Sequence, residues 1–194
     1  MDHIDTTTQN EIPETWRVNR YFEASTALCQ IEEGLFLGSL GDASNKSALK
    51  SSNVTHILTV ANLSVPSYPN DFVYKIIEVM DREDTNLMQH FDECFSFIDE
   101  AKRLGGAVLV HCFMGISRSV TVVVAYLMKK RGMSFSQALE HVKRRRPQAS
   151  PNSGFILQLQ HFGKTLQGKE DEKSRFDLFL SLCQSIFSFF NKKQ

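Results

Sequence analysis

The stretch His111-Cys112-Phe113-Met114-Gly115-Ile116-Ser117-Arg118-Ser119 gathers a thiol, a guanidinium, a glycine and two hydroxyls into one short segment. An apolar run precedes it and a helical pattern follows it. A turn between a strand and a helix leaves backbone N–H groups converging at the helix N-terminus, where an anion is favoured. Gly115 lets the chain bend and approach a ligand closely. Arg118 supplies a planar fork for two phosphate oxygens. Cys112 opens the turn, so its sulfur is expected at the base of the same concavity. Helix N-termini and nearby cations favour a thiolate, and a thiolate beneath a bound phosphate is placed for in-line attack. Taken singly, a cysteine after a strand is commonly a small core hydrophobe and an arginine on a helix a surface charge. The joined pattern HCxxGxxRS, in its strand-turn-helix setting, is far more specific than either.

The flanking sequence has to position that turn. Ala107-Val108-Leu109-Val110 is short and wholly apolar, as expected of a strand buried on both faces. The helix after the turn carries Val120, Val123, Val124, Leu127 and Met128 and is ended by Gly132. Upstream, IEEGLFLGSL reads as an edge strand and turn closed by Gly38 and Gly41, and ASNKSALKSS as a short helix. VTHILTV (54–60) and FVYKIIEV (72–79) read as strands, separated by the proline-containing loop LSVPSYPND. MDRED (80–84) is an acidic loop, followed by a helix with Leu87, Phe91, Phe95 and Ile98 on one face and Gly105 as its stop. Downstream, Ser134 and Gln137 form a capping-box pattern for a helix that Pro147 terminates. Asn152 is placed to cap a helix bearing Phe155, Leu159, Phe162 and Leu166, with a stop near Gly168. Strands interleaved with helices predict an α/β domain with a central, mostly parallel sheet flanked by helices.

Composition bounds the function. The 194 residues carry 22 Lys plus Arg and 22 Asp plus Glu, a formal net charge of zero, which argues against bulk electrostatic binding to nucleic acid. Hydrophobic residues make up 42% and charged residues 23%, as in a folded domain. The four cysteines, Cys29, Cys94, Cys112 and Cys183, form no CxxC pair and no metal-ligand spacing. The N-terminus has no apolar signal region and no run is long enough to span a bilayer, so the expected setting is reducing, cytoplasmic and/or nuclear. We divide the chain into an arm at 1–27, a domain at 28–168 and an aromatic-rich tail at 169–194. Trp16 in the arm reads as a cover for a core edge or as a partner anchor.

HCxxGxxR followed by Ser is the signature of the cysteine-dependent protein tyrosine phosphatase superfamily. The longer stretch HCFMGISRSVTVVVAYLM resembles its dual-specificity branch, as do GLFLGS, NVTHILTV, the Asp81 loop and PNSGF at 151–155. KSSNVTHILTV, DREDTNL and GAVLVHCF are similar to plant members of the MAP kinase phosphatase type. The resemblance covers about residues 28–166 and implies a cysteine phosphatase-like fold. It also implies roles: Cys112 as nucleophile, Arg118 as the phosphoryl-binding cation, and Asp81 as general acid and then base. Asp84 and Glu83 compete for that last role in the same loop. Residues 112–118, including Phe113, Met114, Ile116 and Ser117, would form the phosphate loop. Ser119 would assist breakdown of a phospho-enzyme, with His111 and Asn152 in support. Met114 stands where many relatives have Ala, which is expected to alter the rim and not the chemistry. The family's chemistry needs no metal or cofactor.

The loop interior has no Lys, which favours a phosphorylated protein over a phosphoinositide, and the resemblance points to MAP kinases. A phosphate-recognising module of weak catalysis, or a phosphatase of lipid or RNA, is the alternative. The run Lys143-Arg144-Arg145-Arg146 reads either as a contact for a second phosphate or acidic surface, or as a solvated helix end. In the tail, Phe176, Phe179, Leu180, Cys183, Ile186, Phe187 and Phe190 fall on one helical face. It is suited to packing or self-association, to a calmodulin-type groove, or to a membrane surface. Cys94 and Cys29 are candidates for an oxidative disulfide with Cys112.

Overall fold

The computed structural model describes residues 28–62 and 65–191, with side chains only in part beyond Gly168. Trp16 and the arm at 1–27 lie outside the described residues.

Among the described residues five strands form one sheet in the order β1-β2-β5-β3-β4. They are β1 (Cys29–Glu32), β2 (Leu35–Gly38), β3 (Val54–Val60), β4 (Val73–Ile77) and β5 (Ala107–His111). Only β1 runs antiparallel to its neighbour; the other three pairings are parallel. The expected single edge strand at 31–40 is therefore two strands. The chain reverses at Glu33-Gly34, where Gly34 takes φ +73°, a conformation that side chains resist. This puts β2 inside the sheet and leaves only β1 at that edge.

The helices lie on both faces. Two short ones, α1 (Leu40–Ala43) and α2 (Lys46–Ser51), replace the single helix expected there. Ala43 and Leu49 pack with Phe36, Ile57, Ala107 and Leu109 on one side of the sheet. The longer helices α3 (Phe91–Arg103), α4 (Arg118–Arg131), α5 (Phe135–Arg145) and α6 (Ser153–Asn191) line the other side. There Phe91, Phe95, Ile98, Val123, Leu127, Val142, Phe155 and Leu159 pack with Leu58, Val108 and Val110. Strand side chains alternate between faces, so β5 sends Ala107 and Leu109 one way and Val108 and Val110 the other. All its residues are buried, as its unbroken apolar sequence predicts.

The stops at Gly105 and Gly132 hold, both at positive φ. The Ser134–Gln137 capping box forms in both directions. Gly168 does not end a helix: α6 runs through it to Asn191. A glycine terminates a helix when it adopts a left-handed conformation, and Gly168 is not among the positive-φ residues. It only weakens the helix there by about 1 kcal/mol. Among the described residues no helix is long and apolar enough to cross a membrane.

Candidate active site

The turn between β5 and α4 is held by its carbonyls. The Cys112 carbonyl faces His111 Nδ1 at 3.2 Å, and that of Phe113 accepts from the Leu40 N–H at 3.0 Å. Arg146 donates from Nη2 to Met114 O at 3.1 Å and from Nε to Gly115 O at 2.7 Å. Ile116 O accepts from the Ser150 N–H at 2.8 Å, and Ser117 O from Thr121 N and Oγ1. Every carbonyl from Cys112 to Ser117 is thus engaged by a neighbouring group. None of the described peptides is cis, and a trans peptide points its N–H opposite to its C=O. With the carbonyls turned outward, the loop's N–H groups face the side of the Cys112 sulfur, as the Gly115 N–H does, in an arrangement suited to an anion.

The sulfur is 3.2 Å from both the Gly115 N–H and the Ser119 hydroxyl, and each donates to it. Gly115 has φ +67°, and a Cβ there would meet the Gly38 carbonyl at 2.4 Å. The turn after β2 and the cysteine loop therefore touch backbone to backbone, which only glycine permits.

Arg118 is buried and opens α4. Its Nη1 donates to Val79 O at 3.1 Å and to Asn62 Oδ1 at 3.4 Å, which fixes the plane of the guanidinium. Its Nε has no hydrogen-bond acceptor and lies 3.6 Å from Asp81 Oδ2. Asp81 Oδ1 accepts from the Ser117 hydroxyl at 2.7 Å and from Asn152 Nδ2 at 2.8 Å. Ser117 is the N-cap residue of α4 yet makes no side-chain cap bond, because its hydroxyl is committed to Asp81. Asn152 caps α6 as expected, its Oδ1 accepting from the Phe155 N–H at 2.9 Å. One amide thus starts a helix and holds a carboxylate.

His111 is buried between β5 and β3. Its Nδ1 faces a carbonyl, which can only accept, so Nδ1 donates; Nε2 then accepts from the Thr59 hydroxyl at 2.8 Å. Burial pushes its pKa down to about 4, against an upward pull from the Cys112 carbonyl. The ring is neutral at physiological pH.

The family model for the dual specificity phosphatase catalytic domain matches residues 35–165. The chain is also 62% identical over 149 residues to dual specificity protein phosphatase 1B of Arabidopsis thaliana, covering 77% of this chain and 89% of that one. This chain belongs to the dual specificity phosphatases. MAP kinase phosphatase with leucine-rich repeats protein 2 of Dictyostelium discoideum is 47% identical over 136 residues, which is 70% of this phosphatase and 19% of that protein. Among solved structures, human DUSP28 superimposes with a TM-score of 0.69 at 36% identity, covering 72% of this chain and 95% of that one.

In the phosphatase, Cys112, Gly115, Ser117, Arg118, Ser119, Asp81, His111 and Asn152 meet around one concavity. Phe113 is exposed on its rim, and Met114 and Ile116 are half-buried. Asp84 turns away, paired with Arg82 at the surface, where both side chains are well exposed. Glu83 presents its backbone to α6 and its side chain to solvent.

The run 143–146 was expected to be either a contact for a second phosphate or acidic surface or a solvated helix end, and neither holds for Arg146. Pro147 disfavours the helical conformation at the position before it, and Arg146 is extended at φ −132°, ψ 86°. Its side chain leaves the run and is only 3% exposed behind the loop. It is committed to loop carbonyls and cannot serve as a surface contact for a second phosphate. Arg144 stays on the surface with Glu140. Thr59 was missed because a threonine in a buried strand carries no local sign that it faces a histidine. Cys94 is fully buried, and burial raises its thiol to about 12. Cys29 is partly buried and donates to Arg145 O at 3.2 Å.

Proposed function

We propose that this dual-specificity protein phosphatase hydrolyses phosphotyrosine and phosphoserine/threonine through a cysteinyl-phosphate, with MAP kinases as its protein substrates. In the first step the Cys112 thiolate attacks phosphorus and the P–O ester bond breaks. Asp81 gives its proton to the leaving oxygen. In the second, Asp81 takes a proton from water as that water attacks phosphorus, and the thiolate departs with the Ser119 hydroxyl hydrogen-bonded to it. Arg118, through the Nε that has no acceptor, and the inward N–H groups hold the equatorial oxygens and offset their developing charge.

The observation that carries this reading is the loop whose carbonyls are all tied outward around Cys112 while Asp81 is bonded to the same loop through Ser117. Asp81 is favoured over Asp84 and Glu83 because it alone of the three reaches the loop. His111 keeps β5 and β3 in register beneath the sulfur, and Asn152 steadies Asp81.

The MAP kinase assignment draws on the Dictyostelium relative's name and on the absence of a lysine within the loop; a cytoplasmic or nuclear setting goes with it. The boundary at residue 168 and the role of the tail, in self-association or with a calmodulin-type partner, belong to the same reading. Phe176 and Leu180 on that helix are exposed; the side chains of Phe179, Cys183, Ile186, Phe187 and Phe190 lie outside the described residues.

The test is phosphate release from a peptide phosphorylated on both Thr and Tyr, with a phosphoinositide in parallel. Release from both peptide sites, lost in Cys112→Ser and strongly reduced in Asp81→Asn but not in Asp84→Asn, supports the reading. Release from the phosphoinositide alone would overturn the protein substrate. Binding without release would make the chain a recognition module.

A further inference from the structure

The segment that carries Asp81 is fastened to α6 at three points. Asn152 Nδ2 holds the Asp81 carboxylate at 2.8 Å. Gly154 lies so close to Glu83 that a Cβ on it would stand 1.9 Å from the Glu83 carbonyl oxygen. Gln158 Oε1 accepts from the N–H groups of both Leu87 and Met88 at 2.9 Å, and its Nε2 donates to Thr85 O at 2.8 Å. The segment's own bonds are few and local: Thr85 N to Arg82 O at 3.2 Å, Leu87 N to Thr85 O at 3.1 Å and His90 N to Leu87 O at 3.1 Å. The first two turns of α6, together with the Ser117 hydroxyl on Asp81 and the Leu87 side chain buried in the core, therefore fix its position.

We infer that Gln158 is a positioning residue for the acid step: by closing the turn at 85–88 it sets where Asp81 stands above the phosphate loop. The inference rests on the reading of Asp81 as general acid. Gln158 does not touch the reacting atoms. Its side-chain oxygen satisfies two adjacent donors and its nitrogen one acceptor, so one amide ties three backbone groups of the segment. Without it the Met88 N–H and the Thr85 carbonyl lose this partner, the Leu87 N–H keeps only the Thr85 carbonyl, and the turn loosens around the buried Leu87 side chain. Asp81 then keeps its Oδ1 contacts to Asn152 and Ser117, but the backbone that carries it is less fixed and its approach to the leaving oxygen less exact. A misplacement of about 1 Å in such a group costs up to about a hundredfold in rate.

The experiment is a series of aryl phosphates whose leaving phenols range from strongly to weakly acidic, assayed with the full chain and four variants. A good leaving group needs no proton, whereas a poor one does, so loss of the acid steepens the dependence on leaving-group acidity of kcat/KM, which reports the steps up to release of the phenol and not the later hydrolysis. Asp81→Asn is expected to show the steepest dependence. Gln158→Leu, of similar volume and without polar atoms, is expected to fall between about tenfold and a hundredfold in kcat/KM on the poorest leaving groups and little on the best. Its inhibition constant for inorganic phosphate should not change, because the phosphate loop is untouched. Gln158→Glu keeps the acceptor for Leu87 and Met88 and should fall between wild type and Gln158→Leu. Leu157→Ala, on the exposed side of the same turn, should match wild type.

A uniform loss across the series in Gln158→Leu, or a wild-type dependence in both Gln158 variants, overturns the inference while leaving the role of Asp81 standing. A wild-type dependence in Asp81→Asn overturns the reading of the acid itself.

Discussion

Arg146 Nε lies 2.7 Å from the carbonyl oxygen of Gly115, to which it donates from behind the Cys112 loop. Its Nη2 reaches the preceding carbonyl, of Met114. A residue from the end of one helix thereby fixes two adjacent peptides of a loop that precedes another. It is a charge used as a structural clamp, buried with the loop it holds.

Replacing Arg146 by Met removes the donors and leaves two loop carbonyls unsatisfied. We expect a loss of about 2–4 kcal/mol in stability, read as a lower urea midpoint, and a fall of at least about tenfold in kcat/KM. Arg144→Ala breaks only a surface pair with Glu140 and should change stability by less than about 0.5 kcal/mol. Equal effects of the two substitutions would contradict the distinction.

Two glycines share a left-handed backbone and should respond differently to alanine. Gly132 has φ +62° with nothing within 4 Å of a Cβ; Gly115 has φ +67° with the Gly38 carbonyl in the way. Gly132→Ala should cost about 1 kcal/mol in a thermal melt and leave kcat unchanged. Gly115→Ala adds a backbone clash to that strain, so activity should be lost even where a folded fraction is recovered.

The neutral His111 makes stability depend on pH. Its folded pKa, about 4, lies below the ordinary histidine value of 6.5. Between those values the unfolded chain takes up a proton that the folded one refuses. Stability is therefore undiminished above about pH 6.5 and declines as pH falls toward 4, by an amount on the order of 3 kcal/mol at the low end. His111→Asn, which does not titrate, should flatten the urea midpoint against pH in that window. Parallel curves for the two proteins would rule the histidine out as the cause.

Cys94 should be chemically silent in the folded protein. Its side chain is fully buried and its thiol is pushed up to about 12. Iodoacetamide at pH 8 should leave it unmodified until urea unfolds the domain, as mass mapping of the peptides would read. Peroxide should likewise yield no peptide linking Cys94 to Cys112. Such a link would show that the core opens far more readily than its packing implies.

What the sequence revealed follows from how local the signals are. The apolar run 107–110, the stop at Gly132, the Ser134–Gln137 box and the Asn152 cap depend on neighbours in the chain, and each is present. The concavity at 112–118 was legible because glycine, cysteine and arginine at that spacing have few other uses. Arg146 was hidden by its own neighbours: three basic residues precede it, and only the extended backbone before Pro147 separates it from them. Thr59 and Gln158 act across 52 and some 70 residues of chain, through contacts no local pattern encodes. Gly168 misled because a glycine's conformational freedom permits a helix end without requiring one.

The unbroken course of α6 has a consequence in phase. From Gln158 to Phe176 is 18 residues, which is about five turns at 3.6 residues each, or about 27 Å of rise. The two side chains therefore share one azimuth on the rod. The stripe that grips the Asp81 segment near one end is the stripe that shows Phe176 and, a turn later, Leu180 to solvent. The exposed Phe176 and Leu180 thus continue the face of the helix that holds residues 85–88.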